Sequence, residues 1–439
     1  MQIHIRLILI GFFSIISFFS FAQNKTYFID SLSYEQYLKN DIKGLHKTKK
    51  IAKKNDISFY YLDMRLGIIE YQHKNYEQAL IHFKKAYKRY NYDVNLQMYI
   101  YYCYLYTGRT VSSELFANQH PKVLKIVNPK KNNFANSFKQ IIVDGGTTFN
   151  NQENKDFLNG GIYAENTLQK ENYFGELFIK NRLSKRINLY NQFSYIQTNA
   201  LGVVQSNIEA EHTSNYTNTN LQYVIGLDYT FNKSYTLMAT AGYYRESSQS
   251  ATAKYETTNA KYIYIDNKSQ YDSFFGNISL SKKLPYTNIF IRAGVSNFFG
   301  EINYLGEGAV KVFPWGNPYY YLNSSFTYMN NNKKNKYVIR EDIGIRLHKA
   351  VDFGINCSYG DHQKLMTNSG FVVNNTVDNI KLKASAFFIF NIKNIQLIPQ
   401  YSYIQSNGSY MYMPTTTEIK IEKTKYNNHQ ILLQCIINL

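Results

Sequence analysis

Residues 221–231, LQYVIGLDYTF, alternate without a break. Leu221, Tyr223, Ile225, Leu227, Tyr229 and Phe231 fall on one side of an extended chain, and Gln222, Val224, Gly226, Asp228 and Thr230 on the other. The pattern recurs. In 187–198, Ile187, Leu189, Phe193 and Tyr195 oppose Asn188, Gln192, Ser194 and Thr198. In 337–348, Tyr337, Ile339, Ile343, Ile345 and Leu347 oppose Arg340, Asp342, Gly344 and Arg346. In 351–359, Val351, Phe353, Ile355, Cys357 and Tyr359 oppose Asp352, Gly354, Asn356 and Ser358. A chain with so many amphipathic strands must bury the apolar face against a second sheet or give it to lipid.

Strand length and turn chemistry favour lipid. The strands read as 9–13 residues, and the whole chain has only 7 Pro, whereas sandwiches use shorter strands and more Gly/Pro turns. Mean hydropathy is −0.40, and no run beyond the N-terminus approaches the ~18 apolar residues of a membrane helix. A transmembrane barrel hides in such an average because only alternate residues are apolar. The 42 Tyr and 29 Phe against 1 Trp supply aromatics for the membrane interfaces. The last strand, 429–439, places Ile431, Leu433, Cys435, Ile437 and Leu439 on one face. It resembles the C-terminal assembly signal of outer-membrane barrels, with Leu where the signal usually has an aromatic.

Tight turns are expected near Lys185-Arg186, Asn232–Ser234, Leu284–Thr287, Phe313–Asn317, Lys349-Ala350 and Ile392–Asn394. Longer connections are expected over 150–171, 200–217, 249–270, 299–302, 330–336, 362–377 and 407–427. Short turns alternating with long loops predict periplasmic and extracellular ends respectively. The reading is an all-β transmembrane antiparallel β-barrel of about 14 strands over 137–439, with a small N-terminal α-helical repeat domain.

Residues 1–22, MQIHIRLILIGFFSIISFFSFA, carry Arg6, an apolar run and Ser20-Phe21-Ala22. They read as a secretory signal peptide cleaved before Gln23, which makes the domain order signal peptide 1–22, helical domain 23–120, linker 121–136 and barrel 137–439. The helical domain shows a 3.6-residue period over 58–90. Leu66 and Gly67 sit mid-helix, Asn75-Tyr76-Glu77 opens a second helix, and Ala79, Phe83 and Ala86 share one face. Small residues at 67, 79 and 86 let two helices approach, with Phe83 filling the gap. This spacing resembles a tetratricopeptide repeat, with Asn91 in place of the usual terminating Pro. Residues 33–54 read as a basic helix, 94–118 as a second pair broken at Thr107-Gly108, and 119–136 as a linker with two Pro.

The chain carries a net charge of +18, and the excess is concentrated at the N-terminal end: residues 23–136 hold 19 Lys/Arg against 9 Asp/Glu, and 137–439 hold 29 against 22. Such a face suits an anionic partner or is simply solvated. Cys103, Cys357 and Cys435 show no metal spacing and read as small apolar residues.

Candidate lumen residues are Glu176, Lys180, Arg182, Asp228, Arg292, Arg340, Asp342, Arg346, Asp352 and Lys383. They either line a pore and set its selectivity or pair and fill a closed barrel; the mix leans basic and so toward anionic solutes. No phosphate loop, zinc motif or nucleotide fingerprint occurs, so no cofactor is expected. Asp361-His362 is the one suggestive acid–base pair and reads as a rim-enzyme alternative of the omptin type. Export from the cytoplasm argues against nucleic acid as a partner.

A tetratricopeptide module before a C-terminal barrel resembles YaiO-type outer-membrane proteins and exporters of poly-N-acetylglucosamine and cellulose. The resemblance implies residence in the outer membrane of a Gram-negative cell, with the helical domain in the periplasm. The expected function is a transport or export pore rather than an enzyme. Its helical module would dock a periplasmic protein or an anionic polysaccharide. The alternative is a filled barrel that anchors an interaction scaffold.

Overall fold

A computed structural model describes residues 25–127, 138–151, 156–231, 234–256, 261–331, 334–374 and 378–439. The expected signal peptide lies outside the described residues. The chain divides into two compact units, Met1–Pro129 with Pro314–Pro318, and Lys130–Phe313 with Tyr319–Leu439.

In the first unit the described helices are α1 (25–38), α2 (Ile42–Lys54), α3 (Tyr60–Gln72), α4 (Tyr76–Arg89), α5 (Val94–Tyr106), α6 (Thr110–Gln119) and α7 (Pro121–Val127). The single basic helix expected over 33–54 is two helices, because the chain turns at Asn40 (φ 53°) and restarts under the Asp41 cap. The expected linker starts with helix instead: α7 buries Val123 fully. None of the described helices is long and apolar enough to cross a membrane.

Leu66, Ala79, Phe83 and Ala86 are buried in the helical cores. A Cβ on Gly67 would lie 2.5 Å from the Phe83 ring, so the small residue is what lets α3 and α4 close. Polar groups are buried here too. Arg109 clasps the Glu77 carboxylate with two bonds, of 2.8 and 3.0 Å, and both side chains are nearly sealed from water. Fully buried His82 stands 3.5 Å from Asp63 through Nδ1, and its Nε2 accepts from Lys49 Nζ at 3.0 Å.

Burial holds the His82 imidazole below the usual histidine range, against the opposing pull of Asp63. The folded state therefore keeps His82 neutral where the unfolded chain, with a pKa of about 6.5, takes up a proton. Stability of the helical unit should fall as pH drops below about 6.5, by up to roughly 1.4 kcal/mol per pH unit. Thermal unfolding of the full chain, followed by helix ellipticity from pH 8 to 5, checks this. His82→Gln should flatten the dependence, and an equally steep slope in that variant would reject the assignment.

The second unit is a closed barrel of 14 antiparallel strands. Its wall runs β1 (Phe138–Asn150), β2 (Tyr163–Arg182), β3 (Ile187–Ser206), β4 (His212–Phe231), β5 (Tyr235–Glu256), β6 (Lys261–Leu284) and β7 (Thr287–Ser296). It continues through β8 (Asn303–Val312), β9 (Tyr320–Asn331), β10 (Lys334–His348) and β11 (Val351–Gly360) to β14 (Asn379–Ile392), β15 (Ile395–Thr415) and β16 (Glu418–Asn438). Two short strands, β12 (Leu365–Thr367) and β13 (Val372–Asn374), form a separate hairpin. The ring closes by β1 pairing with β16, Gln140 opposite Asn438, so the barrel segment begins and ends at the short-turn end.

The alternation read from the sequence is the wall's inside–outside alternation. Along β10, Tyr337, Ile339, Ile343 and Leu347 are exposed outward while Val338 and Gly344 are buried inward. From Tyr337 to Leu347, at ~3.3 Å per residue and a ~40° tilt, the band is about 25 Å tall, the height of a membrane-facing belt. Its edges carry exposed Tyr195, Tyr229, Tyr328, Tyr337 and Tyr359. Glu341 interrupts the belt and accepts from the outward Ser324 hydroxyl at 2.6 Å. Cys103 is buried and Cys357 exposed, and the three thiols are free.

Inside the barrel, glycines face aromatic rings across the register. Gly242 opposes Phe275, Gly344 opposes Tyr321, and Gly354 opposes Phe387. In each case an added Cβ would meet the ring at 2.1–2.2 Å. The missing side chain lets the ring lie flat on the wall, which pins the register.

The strands are longer than expected, reaching 24 residues in β6. Most of 200–217, 249–270 and 407–427, expected as loops, is strand. Beyond the membrane both faces meet water, so β-structure there leaves no apolar period to read. Above the end of β1, the β15 extension pairs with β2, Tyr412 opposite Ala164. Phe157, Ala164, Leu168, Val203 and Tyr412 form a small core there.

Candidate functional site

The connection from β11 to β14, expected as an extracellular loop over 362–377, folds into the barrel over its described part. Apolar Leu365, Met366 and Val373 sit in a buried cluster with Val224, Tyr244, Phe275, Leu305 and Val338 from the wall and Phe298 from the β7–β8 connection. Burying a side chain of this kind contributes about 1.5–3 kcal/mol, which the extracellular surface would not provide.

The root of this insert is held by hydrogen bonds. His362 pairs through Nδ1 with the Ile380 carbonyl and through Nε2 with Ser358 Oγ, both at 2.9 Å. Its carboxylate neighbour Asp361 instead stands 3.6 Å from Lys336 and accepts from the Gln363 amide at 3.2 Å. The Asp361-His362 pair expected as a rim acid–base couple is thus divided, each side chain engaged at the base of the insert. Lys364 adds an ion pair with Glu301 at 2.7 Å.

The body and tip reach the far wall. Arg292 Nη2 donates to the Met366 carbonyl at 2.8 Å. Thr240 Oγ1 donates to the Ser369 carbonyl at 2.7 Å, and Gln222 Nε2 to the Phe371 carbonyl at 3.0 Å. The Phe371 ring meets Phe178 at 5.4 Å and Tyr190 at 6.1 Å between centroids. Asn368, Ser369 and Gly370 turn the tip with positive φ. A Cβ on Gly370 would strike Asn277 Nδ2 at 2.3 Å. In the strand order, the root at β11 and β14 lies half a ring from β4 and β5, so the insert crosses the lumen along a diameter.

Half of the ten candidate lumen charges are in ion pairs. Arg292 binds Glu307 at 2.5 Å with its own side chain sealed from solvent. Arg340 binds Asp342 at 3.0 Å and Arg346 binds Asp352 at 2.6 Å. Asp228 accepts from Asn188 at 2.8 Å and from Tyr190 Oη. Lys180 stands over the Tyr190 ring at 5.5 Å. Arg182 turns to the Ser184 and Lys185 carbonyls of the short turn. Lys383 meets the Gln430 amide oxygen at 3.2 Å. Glu176 is half-buried and faces inward.

The other arc of the wall carries polar rungs, with Ile142, Ile398, Leu432 and Ile436 in the same inward phase. Gln430 donates to Thr148 at 3.3 Å, Gln434 to Asp144 at 2.8 Å and Gln400 to Ser402 at 3.0 Å. Among the described residues no group of three or more His, Cys, Asp or Glu gathers to hold a metal. The sequence reading missed Asp144, Glu307 and the glutamines of β15 and β16; their inward phase was the available signal.

No family model and no curated protein matches the chain. Among solved structures it is similar to the P. putida toluene transporter TodX, at 8% identity and TM-score 0.45, over 70% of this chain and 91% of that one. A Pseudomonas aeruginosa FadL homologue gives 8% identity and TM-score 0.45 over 68% and 90%. A bacterial polysaccharide outer membrane secretin gives 10% and 0.35 over 69% and 98%.

Proposed function

We propose that the chain is an outer-membrane pore for small polar solutes, narrowed by the β11–β14 insert. The observation that carries this is the division of the lumen. The insert packs its apolar residues against β4, β5, β6, β8 and β10 and against Phe298 in the β7–β8 connection. Half-buried Gln396, Gln400, Gln430 and Gln434, with Asp144, line the β15–β16–β1 arc. An arc with polar rungs beside an apolar packed one gives water a single side on which to pass.

The filled-barrel reading draws on the three lumen ion pairs and on the insert itself. It is separated from the pore by single-channel recording of the refolded chain in a planar bilayer: a pore gives steady steps, and a filled barrel gives none.

We further read the helical unit as a periplasmic module, because the barrel segment starts at its short-turn end. It exposes Tyr27, Tyr61, Tyr90 and Tyr92, which suits docking of a periplasmic protein or an anionic polysaccharide. A silent bilayer would shift the function to this module, and the next step would be isolating its partner.

A further inference from the structure

We propose that a second copy of this chain docks on the lipid-facing side of β9, β10 and β11, so that the two Glu341 side chains meet across a two-fold axis. Glu341 lies four residues from Tyr337 along β10, about 10 Å inside the edge of the belt. Its side chain is exposed and points outward, among exposed Leu322, Phe326, Ile339, Ile343 and Ile355. In the register Ile339 stands opposite Phe326, and Ile343 opposite Leu322 and Ile355. A carboxyl group set among them loses its water and has no apolar gain to offset the loss.

The chain itself meets only part of this need. The Ser324 hydroxyl donates to one carboxyl oxygen, Oε2, at 2.6 Å. Among the described residues no Lys, Arg or His stands within ion-pair distance of Glu341, and its other oxygen has no donor. The row of the wall through Glu341 runs Ser324, Glu341, Cys357 and Ala384. These neighbours are short and leave the carboxyl open to the membrane. Ionisable side chains at membrane depth face protein or water rather than lipid.

Depth selects the occupant. A partner must lie within the membrane and offer a hydrogen-bonding group at the height of Glu341. Copies of one barrel insert in one orientation, so a two-fold axis relating two of them runs along the membrane normal and keeps every residue at its own depth. Glu341 of the second copy then arrives at the height of the first, and the apolar residues around it meet their counterparts. Two carboxyl groups in contact hold one another through a shared proton, while each Ser324 hydroxyl goes on donating within its own chain. Apolar contact alone gives little drive to associate in lipid, and hydrogen bonds across the contact supply it. A three-fold ring would set Glu341 against a different patch of the wall, away from its counterpart.

The test is sedimentation equilibrium of the folded full chain in density-matched detergent, which needs no conduction. Heat-modifiable migration confirms the barrel of each variant. Wild type should sediment as a dimer. Glu341→Leu should weaken dimerisation about tenfold or more. Glu341→Gln should keep the dimer, because two facing amides also pair. Cys357→Trp, directly opposite Glu341 in the register, should hold the walls apart and weaken the dimer likewise. Val143→Trp, exposed on β1, should leave it unchanged. A monomeric or trimeric wild type would overturn the proposal, and so would a dimer indifferent to Glu341→Leu. A dimer lost equally in Glu341→Gln would mean that Glu341 meets a cation instead of its counterpart, and would overturn it too.

Discussion

Excising residues 363–373 and bridging the gap with a short glycine–serine link should raise single-channel conductance several-fold. The insert spans a diameter of the barrel, from its root at His362 to Phe371 between Phe178 and Tyr190. Removing it opens the half of the lumen that its apolar residues now fill. The wall should survive, because the 14 strands close through their own register. The exposed cluster of Val224, Tyr244, Phe275 and Val338 costs some stability but breaks no ladder. Heat-modifiable migration confirms that the variant has folded. Conductance equal to wild type in a folded variant would show that the insert does not narrow the path.

Glu77→Ala should cost the helical unit about 3–5 kcal/mol, because it leaves the Arg109 guanidinium buried without its carboxylate. The pair is bidentate and nearly sealed from solvent, so water cannot take over the lost bonds. Replacing both residues with apolar side chains of similar volume should recover most of the loss, since a buried pair often gains little over well-packed hydrophobics. Helix ellipticity during thermal unfolding measures this separately from the barrel. A loss below about 1 kcal/mol would place the pair in a solvated setting instead.

How far the sequence disclosed this molecule follows from where a solvent imposed a pattern. Lipid on one side and water on the other forces alternation, so Leu221 to Phe231 and Tyr337 to Leu347 were legible as wall with the correct face outward. Past the membrane, water lies on both sides, and 407–427 read as loop although it is mostly paired strand. Short turns were legible because Lys349-Ala350 and Asn394 end amphipathic runs abruptly.

The insert was hidden by its own turn residues. Asn368, Ser369 and Gly370 look like an exposed loop, and only the neighbouring apolar Phe371-Val372-Val373 argued otherwise. Such a run has no place in water-facing chain, and that was the missed signal. In the lumen, facing charges were legible from phase, but their pairing was not. Arg346 and Asp352 lie opposite across a hairpin, and that register depends on a turn whose bulge the sequence does not announce. Asp144 escaped notice because Gly145-Gly146 interrupts the alternation of the first strand.

The measurement closest to the central claim is single-channel recording of the refolded full chain in a planar bilayer. A pore narrowed by the insert should give steady, discrete steps of small amplitude, carried along the β15–β16–β1 arc. A bilayer that stays silent with a demonstrably folded barrel, both for the intact chain and after excision of 363–373, would contradict it.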